Sequence, residues 1–322
     1  MNGFWFRRWK NQVKKWLSEW RGSNRNTFAS QYKTCPSCGK FVGSNDAICE
    51  YCQAPVAHLQ VSSGRFDESE EGGSVHLEST YALFGLCTFF FALTAILTYQ
   101  NQLASQEDFG LFDQLRAYVL PSSEAFWNLG ASTTGAVLGG QYWRLFTYMF
   151  LHGNILHIIF NLSALAFLGP LLFGVFGLRR FWLLTLGCGA AGALGSIIGH
   201  LFVFHSGSNV VGLSAALFGY LGALYAYYRG TGDLGAAEKF KSYMIWGNVF
   251  CVVVTLLGMP IDNFAHLAGM FTGWGWGILM FRNASTKAML WTERTLLILF
   301  AGTWLYGSFL VLRTLIPQIH GG

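Results

Sequence analysis

Charge is what this chain has least of. Only 11% of its 322 residues are Asp, Glu, Lys or Arg, where a soluble domain carries about 25%. The shortfall lies almost wholly from residue 79 onward, while residues 1–78 are polar and charged. That excludes a single soluble globular domain and predicts a short soluble region followed by a membrane domain. The basic start also lacks an apolar segment behind it. About fifty polar residues follow instead, so no secretory signal peptide is expected. Inverted internal repeats are lacking as well, which counts against a transporter or channel. No nucleic-acid partner is expected.

Apolar residues make up 52% of the chain. They gather in seven stretches near 79–99, 147–170, 178–204, 209–228, 243–259, 262–281 and 295–316. Each comes close to the roughly 20 residues that cross a bilayer. Lys and Arg set the expected orientation. Residues 1–33 hold eight basic residues and one acid, Glu19, hence +7 against +5 for the whole chain. Arg179–Arg180, Arg229 with Lys239 and Lys241, and Arg282 with Lys287 and Arg294 fall in alternate loops, and the 100–146 loop is mildly acidic. The pattern predicts a multi-pass cell-membrane protein with its N-terminus in the cytoplasm and its C-terminus outside.

The soluble region reads as three pieces. Over 1–30, Phe4, Trp5, Trp9, Val13, Trp16, Leu17 and Trp20 recur at helical spacing, with Arg7, Lys10, Lys14 and Arg21 mostly opposite. Such a basic amphipathic segment suits anionic membrane lipids. Over 31–58, Cys35-Pro36-Ser37-Cys38 and Cys49-Glu50-Tyr51-Cys52 are ten residues apart. Two such turns can present four thiolates to one tetrahedral ion, so a small four-cysteine zinc ribbon is predicted. With four sulfur ligands no position stays open for water, and the zinc would be structural. Iron is the lesser alternative. A cytoplasmic location argues against disulfides, and docking of a cytoplasmic partner is the expected role. Over 59–78, Asp67, Glu68, Glu70 and Glu71 among Ser and Gly read as an acidic flexible linker. Cys87, Cys188 and Cys251 lie in the apolar stretches and read as packing residues.

Polar residues inside apolar stretches carry the chemical signal, because hydrocarbon excludes them unless they have a role. Ser214 follows Gly212 near the start of one stretch, and His266 lies four residues into another that begins on the same side. A histidine base beside a serine can take its proton and return it to a leaving amine. Gly269, Gly273 and Gly277 form a stripe at i, i+4, i+8, and small residues of this kind let helix backbones approach closely. His157 and Asn161 are four apart and share a helix face, where side-chain donors can stabilise an oxyanion. His152, nearer the water interface, reads as a structural hydrogen-bonding residue. Asp262 sits four residues before His266 and reads as a helix cap rather than a third catalytic group.

Over residues 128–281 these motifs, in order, resemble the rhomboid intramembrane serine proteases. The resemblance rests on Leu129-Gly130-Ala131, Trp143-Arg144, His157 with Asn161, Gly212-Leu213-Ser214, and Ala265-His266 with Gly269 and Gly273. It implies an all-α polytopic 6+1 fold: a six-helix core over 79–281, then a seventh span and tail over 282–322. It also implies a Ser214–His266 dyad, oxyanion stabilisation by His157, Asn161 and backbone N–H groups near Ser214, and a first outer loop braced by Trp143 and Arg144. Peptide hydrolysis would need no cofactor, and the substrates would be single-span proteins cut near the outer face. Two positions depart from the family pattern: Ala215 replaces a common glycine, and Phe218 replaces a common tyrosine. The alternative function is a catalytically weak or inactive relative that binds or escorts membrane proteins.

Overall fold

The computed structural model describes residues 32–34, 41–43, 46–49, 53–56, 70–104, 121–282 and 287–319. The amphipathic segment expected over 1–30 lies outside them, as do Cys35, Cys38 and Cys52. The chain forms two compact units, Met1–Ser74 and Val75–Gly322.

In the first unit, β1 (Tyr32–Thr34) pairs antiparallel with β2 (Phe41–Gly43), with Thr34 opposite Phe41. The intervening stretch carries Cys35 and Cys38. Further on, Ile48 pairs with Pro55 through an isolated antiparallel bridge. Beside the bridge the Cys49 N–H donates to the Ala54 carbonyl at 2.8 Å, and the Gln53 N–H donates to the Cys49 carbonyl at 2.9 Å. Gln53 takes a left-handed conformation, φ 60°, and Cys49 is buried.

The second unit is helical apart from one short ribbon. Helix α1 spans Glu70–Ala104, all but its first residues falling in this unit. Its first turns occupy residues that the sequence reads as flexible linker, so the linker expected over 59–78 is helical from Glu70. Three short helices follow: α2 (Ser123–Asn128), α3 (Thr134–Leu138) and α4 (Arg144–Thr147). Strand β3 (Ser132–Thr133) pairs with β4 (Asn209–Val210), a two-residue ribbon in a unit that is otherwise helical, as expected for the membrane domain.

Helix α5 (Ile155–Gly199) is 45 residues long and broken at Gly177, where φ 73° suits only a residue without Cβ. The break yields two segments, 155–176 and 178–199. Beyond them come α6 (Ser214–Thr231), α7 (Leu234–Leu256), α8 (Asn263–Arg282) and α9 (Lys287–Ile319). Ser79–Asn101, Ile155–Phe204 and Lys287–Arg313 are each long and apolar enough to cross a membrane. Helices α6 to α8 are less apolar than these. Helix α7 opens on Glu238, Lys239 and Lys241, and α6 carries four tyrosines and Arg229.

Helix α6 is central and buries most of its length. It packs most closely on α8, then on α5 and α7. The contact with α8 depends on missing side chains. A Cβ on Gly269 would run into the Ala215 carbonyl, and one on Gly273 into the Gly219 carbonyl. Backbone therefore rests on backbone, as close packing in a membrane requires.

The basic pair Arg179–Arg180 is helical rather than in a loop. Both guanidiniums bind Glu293 of α9, Arg179 Nε at 2.8 Å and Arg180 Nε at 2.6 Å, and Glu293 is 1% exposed. Further along α9, the Phe300 ring stacks on Trp276, and Phe150 lies against Trp304. Gly307 admits Trp143, whose Cβ would lie 2.7 Å from a methyl at that position. Helix α9 thus holds α5 near one end and the loop of Trp143 near the other.

Candidate active site

Ser214 opens helix α6 rather than lying several residues inside a span, because residues 209–213 are strand and turn. Gly212 makes that turn with φ +118°, and a Cβ there would lie 2.7 Å from His157 Cε1. Its N–H donates to the Tyr148 carbonyl at 3.1 Å. The ribbon of β3 and β4 ties the approach to Ser214 onto the loop that precedes α3. Next to it, the Thr134 hydroxyl accepts from the Ser208 N–H at 2.8 Å.

His266 reaches Ser214 across the glycine-lined contact of α6 and α8. Its Nε2 lies 2.8 Å from Ser214 Oγ. His266 is 6% exposed, and Ser214 is half-buried. With the serine hydroxyl donating, Nε2 accepts and the ring proton sits on Nδ1. That Nδ1 is buried and has no hydrogen-bond partner among the described residues. What orients the imidazole instead is Phe218, whose ring stacks on it at 4.5 Å between centroids.

Asp262 does not reach the His266 ring. Its Oδ1 accepts from the Ala265 N–H at 3.0 Å, capping α8. Its Oδ2 accepts from the Ser196 hydroxyl, with His200 Nδ1 3.7 Å away. The Ala215 methyl points toward Gly192 of α5, where a second methyl would not fit.

His157 faces the same region. The Gly153 N–H donates to His157 Nδ1 at 3.2 Å, so Nδ1 is the acceptor and Nε2 carries the proton. That Nε2–H lies against Gly212, two residues before Ser214. Asn161 is buried, but its Nδ2 donates at 2.8 Å to the His157 carbonyl on its own helix. Its Oδ1 has no hydrogen-bond partner among the described residues. His152 precedes α5 rather than lying in it, because Asn154 caps that helix. It is fully buried, places Nδ1 3.2 Å from the Phe150 carbonyl, and packs edge-on against the His157 ring at 5.2 Å. No side chain caps the start of α6, so backbone N–H groups at the positive end of that helix are available beside Ser214.

Trp143 and Arg144 lie further out. Arg144 Nη1 donates to the carbonyls of Trp127 and Ala131, both at 2.9 Å, and Nε to Gln141 at 2.6 Å. Its guanidinium sits 4.2 Å from the Trp127 ring and 4.6 Å from the Trp143 ring. Burial lowers its pKa to about 10, which leaves it charged at neutral pH. These bonds gather residues 127–144 into one loop.

Residues 139–283 match the Rhomboid domain family. RHOMBOID-like protein 7 of Arabidopsis thaliana is 33% identical over 172 residues, 50% of this chain and 50% of that protein. Rhomboid protease GluP of Bacillus subtilis is 31% identical over 159 residues, 47% of this chain and 29% of GluP. Putative rhomboid protease YdcA of the same bacterium is 30% identical over 195 residues, 59% of this chain and 86% of YdcA. The chain belongs to the rhomboid family. It spans about half, or less, of the length of the Arabidopsis relatives and GluP. This rhomboid protein is accordingly a helical, multi-pass membrane protein. Sequence reasoning missed the rhomboid chain's Phe218–His266 stack and its Glu293 clamp. A single acid at the head of an apolar stretch, beside an Arg-Arg pair elsewhere, was the available signal for the clamp.

Proposed function

We propose that this protein is an intramembrane serine protease that hydrolyses transmembrane proteins through a Ser214–His266 dyad. The observation that carries the reading is the 2.8 Å approach of Ser214 Oγ to His266 Nε2. Family membership supports a protease-like role in general terms. In the proposed reaction His266 Nε2 takes the Ser214 proton as Oγ attacks the scissile carbonyl. Negative charge builds on the carbonyl oxygen. The His157 Nε2–H and the uncapped N–H groups at the head of α6 are aimed to receive it. Asn161 would join them only after releasing its bond to the His157 carbonyl. His266 then protonates the leaving amine, and water attacks the acyl-enzyme by the reverse route. Phe218 and the cap provided by Asp262 hold His266 in place without a carboxylate on Nδ1.

The arrangement we propose is six spans plus one, with the N-terminus cytoplasmic and Ser214 toward the outer face. Its spans would be α1, the two halves of α5, and α6 to α9. We also propose that Cys35, Cys38, Cys49 and Cys52 hold a structural zinc that serves a docking module. The bridge of Ile48 to Pro55 and the pairing of β1 with β2 support this, since each CxxC sits between paired backbone segments.

The test is cleavage of a single-span substrate by the purified protein in vesicles. Ser214→Ala and His266→Ala should each lower the rate by about 1,000-fold or more, as removal of a nucleophile or its base does elsewhere. Cleavage that survives Ser214→Ala would discard this nucleophile. A folded wild type that cleaves no substrate would favour the binding or escort role.

A further inference from the structure

A cavity of about 540 Å³ lies between the 127–144 loop and the C-terminal part of α9. Arg144 and Arg313 bring positive charge to it, Trp127 and Trp143 form aromatic walls, and Leu310 and Val311 add an apolar side. None of its lining residues is acidic.

Arg144 is only 4% exposed, yet all its hydrogen bonds among the described residues go to neutral groups, from Nε and Nη1. Nη2 donates to none of the described residues. Arg313 is exposed and has no ion pair among them. A cation drawn out of water without a counter-charge is costly, and the cost falls when an anion completes it. A guanidinium with one edge spent on carbonyls presents its other edge as a pair of donors, which suits a phosphate. Tryptophans belong at headgroup level in a bilayer. Leu310 and Val311 continue a membrane-grade helix.

We propose that this cavity binds the phosphate of an anionic phospholipid. Arg144 Nη2 and Arg313 would contact the phosphate, and Leu310 and Val311 the first part of an acyl chain. Bound there, the lipid would join the outer loop to the seventh span. Such lipid binding would not depend on proteolysis.

Native mass spectrometry of the delipidated full chain, given phosphatidylglycerol or phosphatidylcholine, tests it. The expected result is preferential retention of one phosphatidylglycerol. Arg313→Gln should weaken that retention about tenfold, the value of one charged hydrogen bond. Leu310→Trp, which fills the cavity, should weaken it as well, while Arg229→Gln on α6 should not. Thermal unfolding of each variant checks that the fold persists, and the cavity-filling variant keeps the test valid if Arg313→Gln misfolds. Inorganic phosphate added in millimolar amounts separates the two sources of phosphate. Failure to displace the lipid supports a lipid site, whereas displacement assigns the cavity to soluble phosphate and overturns the lipid. Equal retention by wild type and both cavity variants, or no preference for the anionic lipid, would also overturn it.

Discussion

A methyl group at position 212 would meet the His157 imidazole, and the backbone there already sits at φ +118°. Gly212→Ala should therefore cost about 2 kcal/mol or more through strain and collision. The measurement is thermal unfolding in detergent, with cleavage falling alongside because His157 is displaced from beside Ser214. The sequence shows Gly212 only as a small residue before a serine. Its conformation, and the ring it accommodates, depend on a contact between chain segments about fifty residues apart. Asp262 makes the same point differently. Its spacing from His266 suits either a cap or a triad, and the hydrogen bonds to Ala265 and Ser196 favour the cap. Ala215 also reads differently in three dimensions, since its methyl points to Gly192 of α5.

At the scale of helices, the approach of α6 to α8 sets the distance between Ser214 and His266. Gly273→Leu would place four carbons where the Gly219 carbonyl now lies. The helices should part and cleavage should fall at least as far as in Ser214→Ala, with the protein still inserted in the membrane. A substrate assay beside a protease-protection assay distinguishes lost geometry from lost insertion. Helix α9 is attached by a different kind of contact. Glu293 is 1% exposed and pairs with Arg180, itself 13% exposed, and with the more open Arg179. Glu293→Ala would leave buried positive charge without its partner, destabilising the fold by roughly 3 kcal/mol. Unfolding of the variant, monitored by loss of helical circular dichroism, measures this. The glycine stripe of α8 was legible in the sequence because periodicity alone reveals it. The Glu293 clamp was not, because residues 179–180 and 293 are distant in sequence and meet only when the helices pack.

For the whole molecule, the two compact units predict separable behaviour. If the four cysteines bind zinc, the purified chain should contain about one zinc per chain by elemental analysis, the stoichiometry of a four-thiolate site. Cys49→Ser should lose it, with cleavage by the membrane unit retained. Loss of both would mean that the metal supports the membrane unit as well. The sequence by itself determined the membrane class, the order of the apolar segments and the residue types of the site. Bilayer thickness and the cost of burying polar groups act on local composition, so those features can be read one segment at a time. Only the tertiary structure decided that Ser214 begins its helix, that Phe218 rather than a carboxylate steadies His266, that Asn161 turns to its own backbone, and that Arg179 and Arg180 pair with Glu293. Each of these depends on which helices become neighbours, and close packing determines that for the chain as a whole.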